Sequence, residues 1–232
     1  MDSANSIIVR EDARELGVTA PVGCVISGLD VRSEAPELDS DVAAVESLAQ
    51  ERPEEILDSQ IVDGSRKLYA EMGYSDIKPD GEMRFDLVRR RGLKRHNNVV
   101  DAYNIVGAEF GLGLGMHDTA QLGGDIVIER ASGGERLIPL FRESYRSANP
   151  GDLLYGTRRH PLWISGQIGR DSDEFKVTES TDEALLMVVG NENTTESHNR
   201  AVCERTVELI QKTCPEATAE YLDVVDEALI IA

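Results

Sequence analysis

The 232-residue chain is poor in cysteine, in lysine and in long apolar runs, and each shortage excludes something. Three cysteines (Cys24, Cys203, Cys214) include no CxxC pair, and an odd count does not make a disulfide framework. On one helix, Cys203 and Cys214 stand roughly 16 Å apart, beyond disulfide reach. They read as small core or surface residues. No apolar stretch reaches the ~18 residues a membrane helix needs. The opening Met1-Asp2-Ser3 lacks the positive flank of a signal peptide, so a cytoplasmic location and no membrane partner are expected. The four histidines (His96, His117, His160, His198) are dispersed without ligand spacing, and no GxSxG elbow is present. Neither a metal, a cofactor nor a serine nucleophile is therefore expected.

What is abundant is acid. Asp and Glu total 43 against 24 Lys and Arg, a net charge of −19, with only five lysines among the bases. That balance fits a protein adapted to high salt and argues against a nucleic-acid partner, DNA included. In molar salt the argument weakens, because the Debye length is only ~3 Å. The bases are also clustered. From Arg84 to Val100 the chain holds Arg84, Arg89, Arg90, Arg91, Lys94 and Arg95 against Asp86 alone, whereas residues 30–63 hold eleven acids against two bases. The Arg84–Arg95 run is either a solvated helix face paired with acidic neighbours or an edge that contacts phosphates.

Hydropathy patterning predicts a strand at residues 22–31 and helices near 37–50, 54–73 (with Pro53 at a helix start) and 83–91, the last closed by Gly92. The next helix is capped by Asn97 or Asn98, with Asp101 in its first turn as in a capping box. In it, Val99, Tyr103, Val106 and Phe110 form a core stripe, and Asn104, Gly107, Ala108 and Gly111 a small, polar one open to close approach. Gly111-Leu-Gly-Leu-Gly115 is a glycine-rich helix exit rather than a phosphate loop, because it follows a helix and not a strand. Period-two runs at 125–130, 136–140, 152–155, 161–164 and 184–189 predict strands, then a helix at 195–213 and a strand from Tyr221 to Ile231. The expected fold is α+β: one compact domain over 1–232, an N-terminal strand and helices followed by a mainly antiparallel sheet.

Several segments together resemble a known family. Asn97-Asn-Val-Val-Asp-Ala-Tyr-Asn104, Glu109-Phe-Gly-Leu112, Met116-His-Asp118, Ile126-Val-Ile-Glu-Arg130 and Gly134-Glu135 are similar to the editing domain (B3/B4 module) of the bacterial-type phenylalanyl-tRNA synthetase β subunit. Arg170-Asp-Ser172 and Lys176-Val-Thr-Glu-Ser-Thr181 look like its freestanding relatives. The resemblance covers about residues 20–190, leaving a C-terminal helix and strand over 191–232. It implies a hydrolase that cleaves the ester between a wrong amino acid, chiefly tyrosine, and phenylalanine tRNA, in trans and without metal or covalent intermediate.

Its pocket residues map onto Asn104 and His117. The Asn104-to-His117 step is two residues longer than the family pattern, so Asp118 aligns more securely, and a Gly-Gly-Glu is replaced by Gly169-Arg-Asp171, leaving Asp171 as the nearest acid. Asn104, His117 and Asp171 are thus the expected catalytic residues. Asn104 would hold water or the α-amino group, and His117 would act as general base or orient the terminal ribose. Asp118 or Asp171 would bind the ammonium, while Arg84, Arg91 and Arg170 reach phosphates and Asn98 and Glu179 complete the substrate set. Plainer readings stand beside these: a loop histidine at 117, a turn cap at Asp118, a loop salt bridge at Asp171, strand-edge polarity at Glu179. Aminoacyl-tRNA is the expected partner, through Arg84–Arg95. The alternatives are a non-catalytic module binding an amino acid or tRNA end with the same fold, and reuse of that fold for something unrelated.

Overall fold

Apolar runs too hydrophobic to have a wet face set the architecture. In the computed structural model, which describes residues 6–225, β2 (Val22–Ser27) and β10 (Glu183–Val188) pair antiparallel and are buried on both faces. β3 (Gly115–Asp118) flanks β10, and β11 (Thr218–Tyr221) flanks β2, giving a four-stranded antiparallel sheet ordered β11-β2-β10-β3. Cys24, Ile26, Ala184 and Leu186 point to one core, while Val25, Leu185 and Met187 point to another, the alternation that period-two geometry imposes.

The first core is closed by helices: α2 (Asp39–Glu51), α5 (Asp80–Arg91), α6 (Asn98–Phe110) and α7 (Glu196–Thr213). The second core is closed by a six-stranded sheet ordered β12-β1-β4-β7-β8-β9. Its strands are β1 (Ser6–Val9), β4 (Ile126–Arg130), β7 (Leu153–Gly156), β8 (Pro161–Ile164), β9 (Arg170–Asp171) and β12 (Asp223–Val225). β1 runs parallel to both neighbours, and the other pairs are antiparallel. Short helices α1 (Glu11–Glu15) and α3 (Glu54–Leu57), helix α4 (Gln60–Glu71) and a hairpin of β5 (Arg136–Leu137) with β6 (Arg146–Ser147) complete the α+β domain.

Several expectations need correction. Residues 54–73 form two helices, because Ser59 caps α4 by accepting from the Val62 amide and ends the preceding turn. Helix α5 starts at Asp80 rather than Met83, and the strand at 136–140 keeps only two residues before Pro139. Five strands lie outside the expected runs: β1, β3, β6, β9 and β11, the last meeting the expected C-terminal strand only at Tyr221. Of the expected strand from Tyr221, only residues up to 225 are described; the rest lies outside the described residues.

Helix α6 is the spine. Asn97 caps it by accepting from the Val100 amide at 2.8 Å, and Gly111 ends it at φ 65°, a left-handed conformation glycine adopts without strain. Asp101 does not close a capping box; its carboxylate accepts from the His96 amide at 2.8 Å and from Arg95 Nε at 2.6 Å. The small stripe does admit a neighbour closely: a methyl placed on Gly107 would lie 3.3 Å from the Arg84 side chain of α5.

Asn98 is a latch and not a substrate ligand. It is fully buried, accepts from the Arg32 amide at 2.9 Å, and donates to the Asp30 carbonyl at 2.9 Å and to Thr213 Oγ1 at 3.1 Å. Asn98→Ala would strand these buried groups at ~1–3 kcal/mol each. The expected result is a loss of about 3 kcal/mol, read as a thermal midpoint roughly 6–12 °C lower. An unchanged midpoint would refute the latch.

Candidate functional site

The two sheets share no strand, and their edge strands β3 and β9 come together beside α4, α5 and α6. A cleft of about 470 Å³ opens there, within the size range of small-ligand sites. Its apolar wall includes Leu68, Met116, Met187 and the rings of Tyr103, Tyr155 and Trp163; its polar groups are Tyr69, Asp80, Arg84, Asn104, Arg170 and Asp171.

Of the residues singled out from the sequence, Asn104, Asp171, Arg84, Arg91 and Arg170 line this cleft. His117, Asp118, Asn98 and Glu179 do not. His117 is fully buried, with its Nε2 2.7 Å from the Tyr155 hydroxyl and 3.8 Å from Oδ1 of Asp171. Burial drives its pKa down to about 3, so the ring stays neutral near pH 7 and is a poor general base. Asp118 is turned away, accepting from the Ala120 amide at 2.8 Å and from the Thr181 hydroxyl, which makes it a turn cap. Glu179 is exposed in a turn outside the cleft.

The basic stretch divides by role. Arg95 is committed to Asp101 and Asp39, and Arg90 lies 3.8 Å from Asp86; Arg84 enters the cleft, and Arg91 and Lys94 stand at its mouth.

Two interactions give the site its chemistry. Arg84 Nη1 donates to Asn104 Oδ1. Because a guanidinium only donates, this bond fixes which end of the amide is oxygen. The amide NH2 of Asn104 has no protein partner among the described residues, and Asn104 lines the cleft. Helix α6 supplies the amide and α5 the guanidinium, meeting where Gly107 leaves room.

The second interaction is between carboxyls. Asp171 is raised to about 7, first by burial and then by the charge of Asp80, with Arg84 and Arg170 opposing. Asp80 is also raised, chiefly by burial, although Trp163 Nε1 donates to its Oδ2 at 3.0 Å. Tyr69, buried beside Asp80, is pushed upward by burial and by that charge. Asp80, Tyr69, Tyr155 and Trp163 escaped sequence reading. Asp80 follows Pro79 and opens a helix, where an acid is the ordinary expectation; Trp163 was visible only as part of a strand.

Asp171 ties site and stability together. Its ordinary value is 3.8 and its folded value about 7, so between those values the unfolded chain releases a proton that the folded chain keeps. Stability therefore falls as pH rises through that window and is level above it. Asp171→Asn carries no such cost. Its advantage in thermal midpoint over the wild type should grow from pH 4 to pH 7 and then stay constant; a pH-independent difference would contradict the burial.

Comparison with known proteins bears on the fold and the family. The fold is similar to that of an N-terminal fragment of the phenylalanyl-tRNA synthetase β subunit from Pyrococcus horikoshii, with a TM-score of 0.52 and 11% identity over 98% of this chain and 53% of that one. In sequence the chain is 35% identical over 95 residues to the phenylalanine–tRNA ligase β subunit of Aquifex aeolicus, and 32% identical over 101 residues to that of Cutibacterium acnes. These matches cover 41% and 44% of this chain and 12% of each relative, so the likeness is to one module of a much longer subunit. The B3/4 domain model matches residues 71–220, and the chain belongs to that family. No described helix is long and apolar enough to cross a membrane.

Proposed function

We propose that this protein hydrolyses the ester of a mischarged aminoacyl-tRNA supplied from solution. The observation that carries the proposal is the Arg84–Asn104 bond, which presents the amide NH2 as a fixed donor in a cleft that also holds a carboxyl titrating near neutrality. The ester carbonyl oxygen sits against Asn104 Nδ2. Ionised Asp171 takes a proton from water as the water adds to the carbonyl carbon, and the developing oxyanion is stabilised by the amide. When the tetrahedral intermediate collapses, the C–O bond to the ribose breaks and the ribose oxygen takes the proton back from Asp171, leaving a free amino acid and intact tRNA.

A base with a pKa of about 7 is matched to neutral pH. Asp80, anchored by Trp163, meets the α-ammonium, and the rings of Tyr103, Tyr155 and Trp163 fit a large aromatic side chain. Because Asn104 Oδ1 already accepts from a guanidinium, whose charge disfavours a second cation there, the amide NH2 polarises the ester or holds a water oxygen. Arg91 and Lys94 at the mouth meet the phosphates of the tRNA end.

One observation favours a binding module without turnover: the position that matches the family histidine, His117, is fully buried and does not line the cleft. Incubation of the protein in molar potassium chloride with tyrosine-charged phenylalanine tRNA separates the two readings. Ester loss above the spontaneous rate supports hydrolysis, whereas retention of the charged tRNA without ester loss supports the module.

A further inference from the structure

The cleft has a second feature at its mouth that ester chemistry does not use. Phe141, in the loop joining β5 to β6, is 68% exposed and lines the opening. Its φ is 65°, and it is the only non-glycine residue among those described with a positive value. Bulky side chains rarely adopt that conformation, and residues held in it against strain concentrate at functional sites. The conformation is held from both sides: the Phe141 amide donates to Asp173 Oδ1 at 3.1 Å and the Arg142 amide to the Pro139 carbonyl at 2.9 Å. The ring is therefore displayed in a fixed place. One side is stacked on His96, centroids 6.0 Å apart and planes 18° from parallel, and Lys94 lies 5.9 Å from its centre.

The hairpin also brings exposed bases to the mouth. Arg136, Arg142 and Arg146 are exposed and, like Arg91 and Lys94 across the mouth, make no ion pair among the described residues. Many other bases are held by acids, for example Arg66 by Glu82 and Asp63, and Arg205 by Asp41 and Glu109. Tyr145 is 48% exposed with Arg136 only 4.7 Å from its ring centre. On a chain of net charge −19, three exposed arginines against Glu135 and Glu143 leave the hairpin slightly basic, beside two exposed rings. Cations that track phosphates, beside flat rings on which bases stack, are what single-stranded nucleic acid requires.

We propose that the β5–β6 hairpin, with Phe141 at its tip, is a stacking dock for the unpaired 3′ nucleotides of an RNA whose terminal residue enters the cleft. The nature of the ligand rests on the deacylase reading, but the dock is read by binding alone. A base seats on the open side of the Phe141 ring, extending the stack on His96, and Arg142 and Arg146 meet the phosphates that follow.

The test is fluorescence anisotropy of the full chain with a labelled, unstructured RNA oligonucleotide ending in CCA, titrated at several potassium chloride concentrations. Phe141→Ala is expected to weaken binding about tenfold with an unchanged thermal midpoint, and Phe141→Trp to retain it. Arg142→Ala and Arg146→Ala should each lower the slope of log affinity against log salt by about one. Wild-type affinity in Phe141→Ala, equal affinity for a blunt duplex, or equally effective competition by polyglutamate would overturn the dock. Ester loss with Phe141-independent binding would leave hydrolysis standing without the dock. Phe141-dependent binding without ester loss would leave the dock and remove hydrolysis.

Discussion

Asn104→Ala is expected to lower the rate of ester loss from mischarged tRNA by about 10²–10³-fold, the usual effect of removing one donor from a developing oxyanion. The loss should fall on kcat with little change in KM, because the ground-state ester gains less from the amide than the tetrahedral intermediate does. Arg84 sets the orientation, so Asn104→Asp is instructive: the carboxylate still accepts from Arg84 but offers no donor. It should be as inactive as the alanine variant and keep the wild-type thermal midpoint. Single-turnover deacylation measures both. An Asn104→Asp enzyme of wild-type rate would mean that the amide donates nothing to the reaction, and the mechanism built on the Arg84–Asn104 bond would fall.

Asp171→Asn is expected to reduce the rate by about 10²–10⁴-fold, the range for loss of a positioned general base. More telling is the pH profile. In the wild type the rate above background should climb with pH and level off above about 7, where the carboxyl is ionised. In Asp171→Asn the residual rate should lose that limb and rise only with hydroxide. Asp80 contributes to the raised value through its charge, so Asp80→Asn should move the wild-type limb to lower pH. A limb unmoved by Asp80→Asn would assign the titration to another group. The same Asp171→Asn protein should be the more stable one above neutral pH, which separates loss of chemistry from loss of fold.

How much of this was legible in the sequence depended on how far apart the partners lie. The ends of α6 were, because Asn97 and Gly111 act on amides and dihedrals within a turn of themselves. The buried runs of β2 and β10 were also plain, since a strand covered on both faces needs no alternation. Strand β3 was not: Gly115-Met116-His117-Asp118 becomes a strand only because residues 184–187 lie alongside it. Arg170-Asp171 likewise becomes β9 by pairing with Trp163 and Ile164.

Among the site residues, Asn104 could be placed by its helix face. His117 and Asp118 could not, since neighbours on one short strand point to opposite faces and the strand itself was unseen. Asn98 was read as a possible cap and a substrate ligand; its partners include Arg32, 66 positions away, and Thr213, 115 positions away. The acidity of Asp171 is a property of burial and of Asp80, brought from the start of α5. No local pattern encodes such a pair.

The hydrogen bond between His117 and Tyr155 acquires a different meaning once the separation of the sheets is considered. His117 belongs to the four-stranded sheet and Tyr155 to the six-stranded one, and the Tyr155 ring continues into a near-parallel stack with Trp163, 5.6 Å away. The imidazole thus ties one sheet to the other, and its Nε2 also stands 3.8 Å from Oδ1 of Asp171. A change at position 117 would therefore be felt both in the Tyr155–Trp163 stack and at Asp171, although His117 itself does not line the cleft.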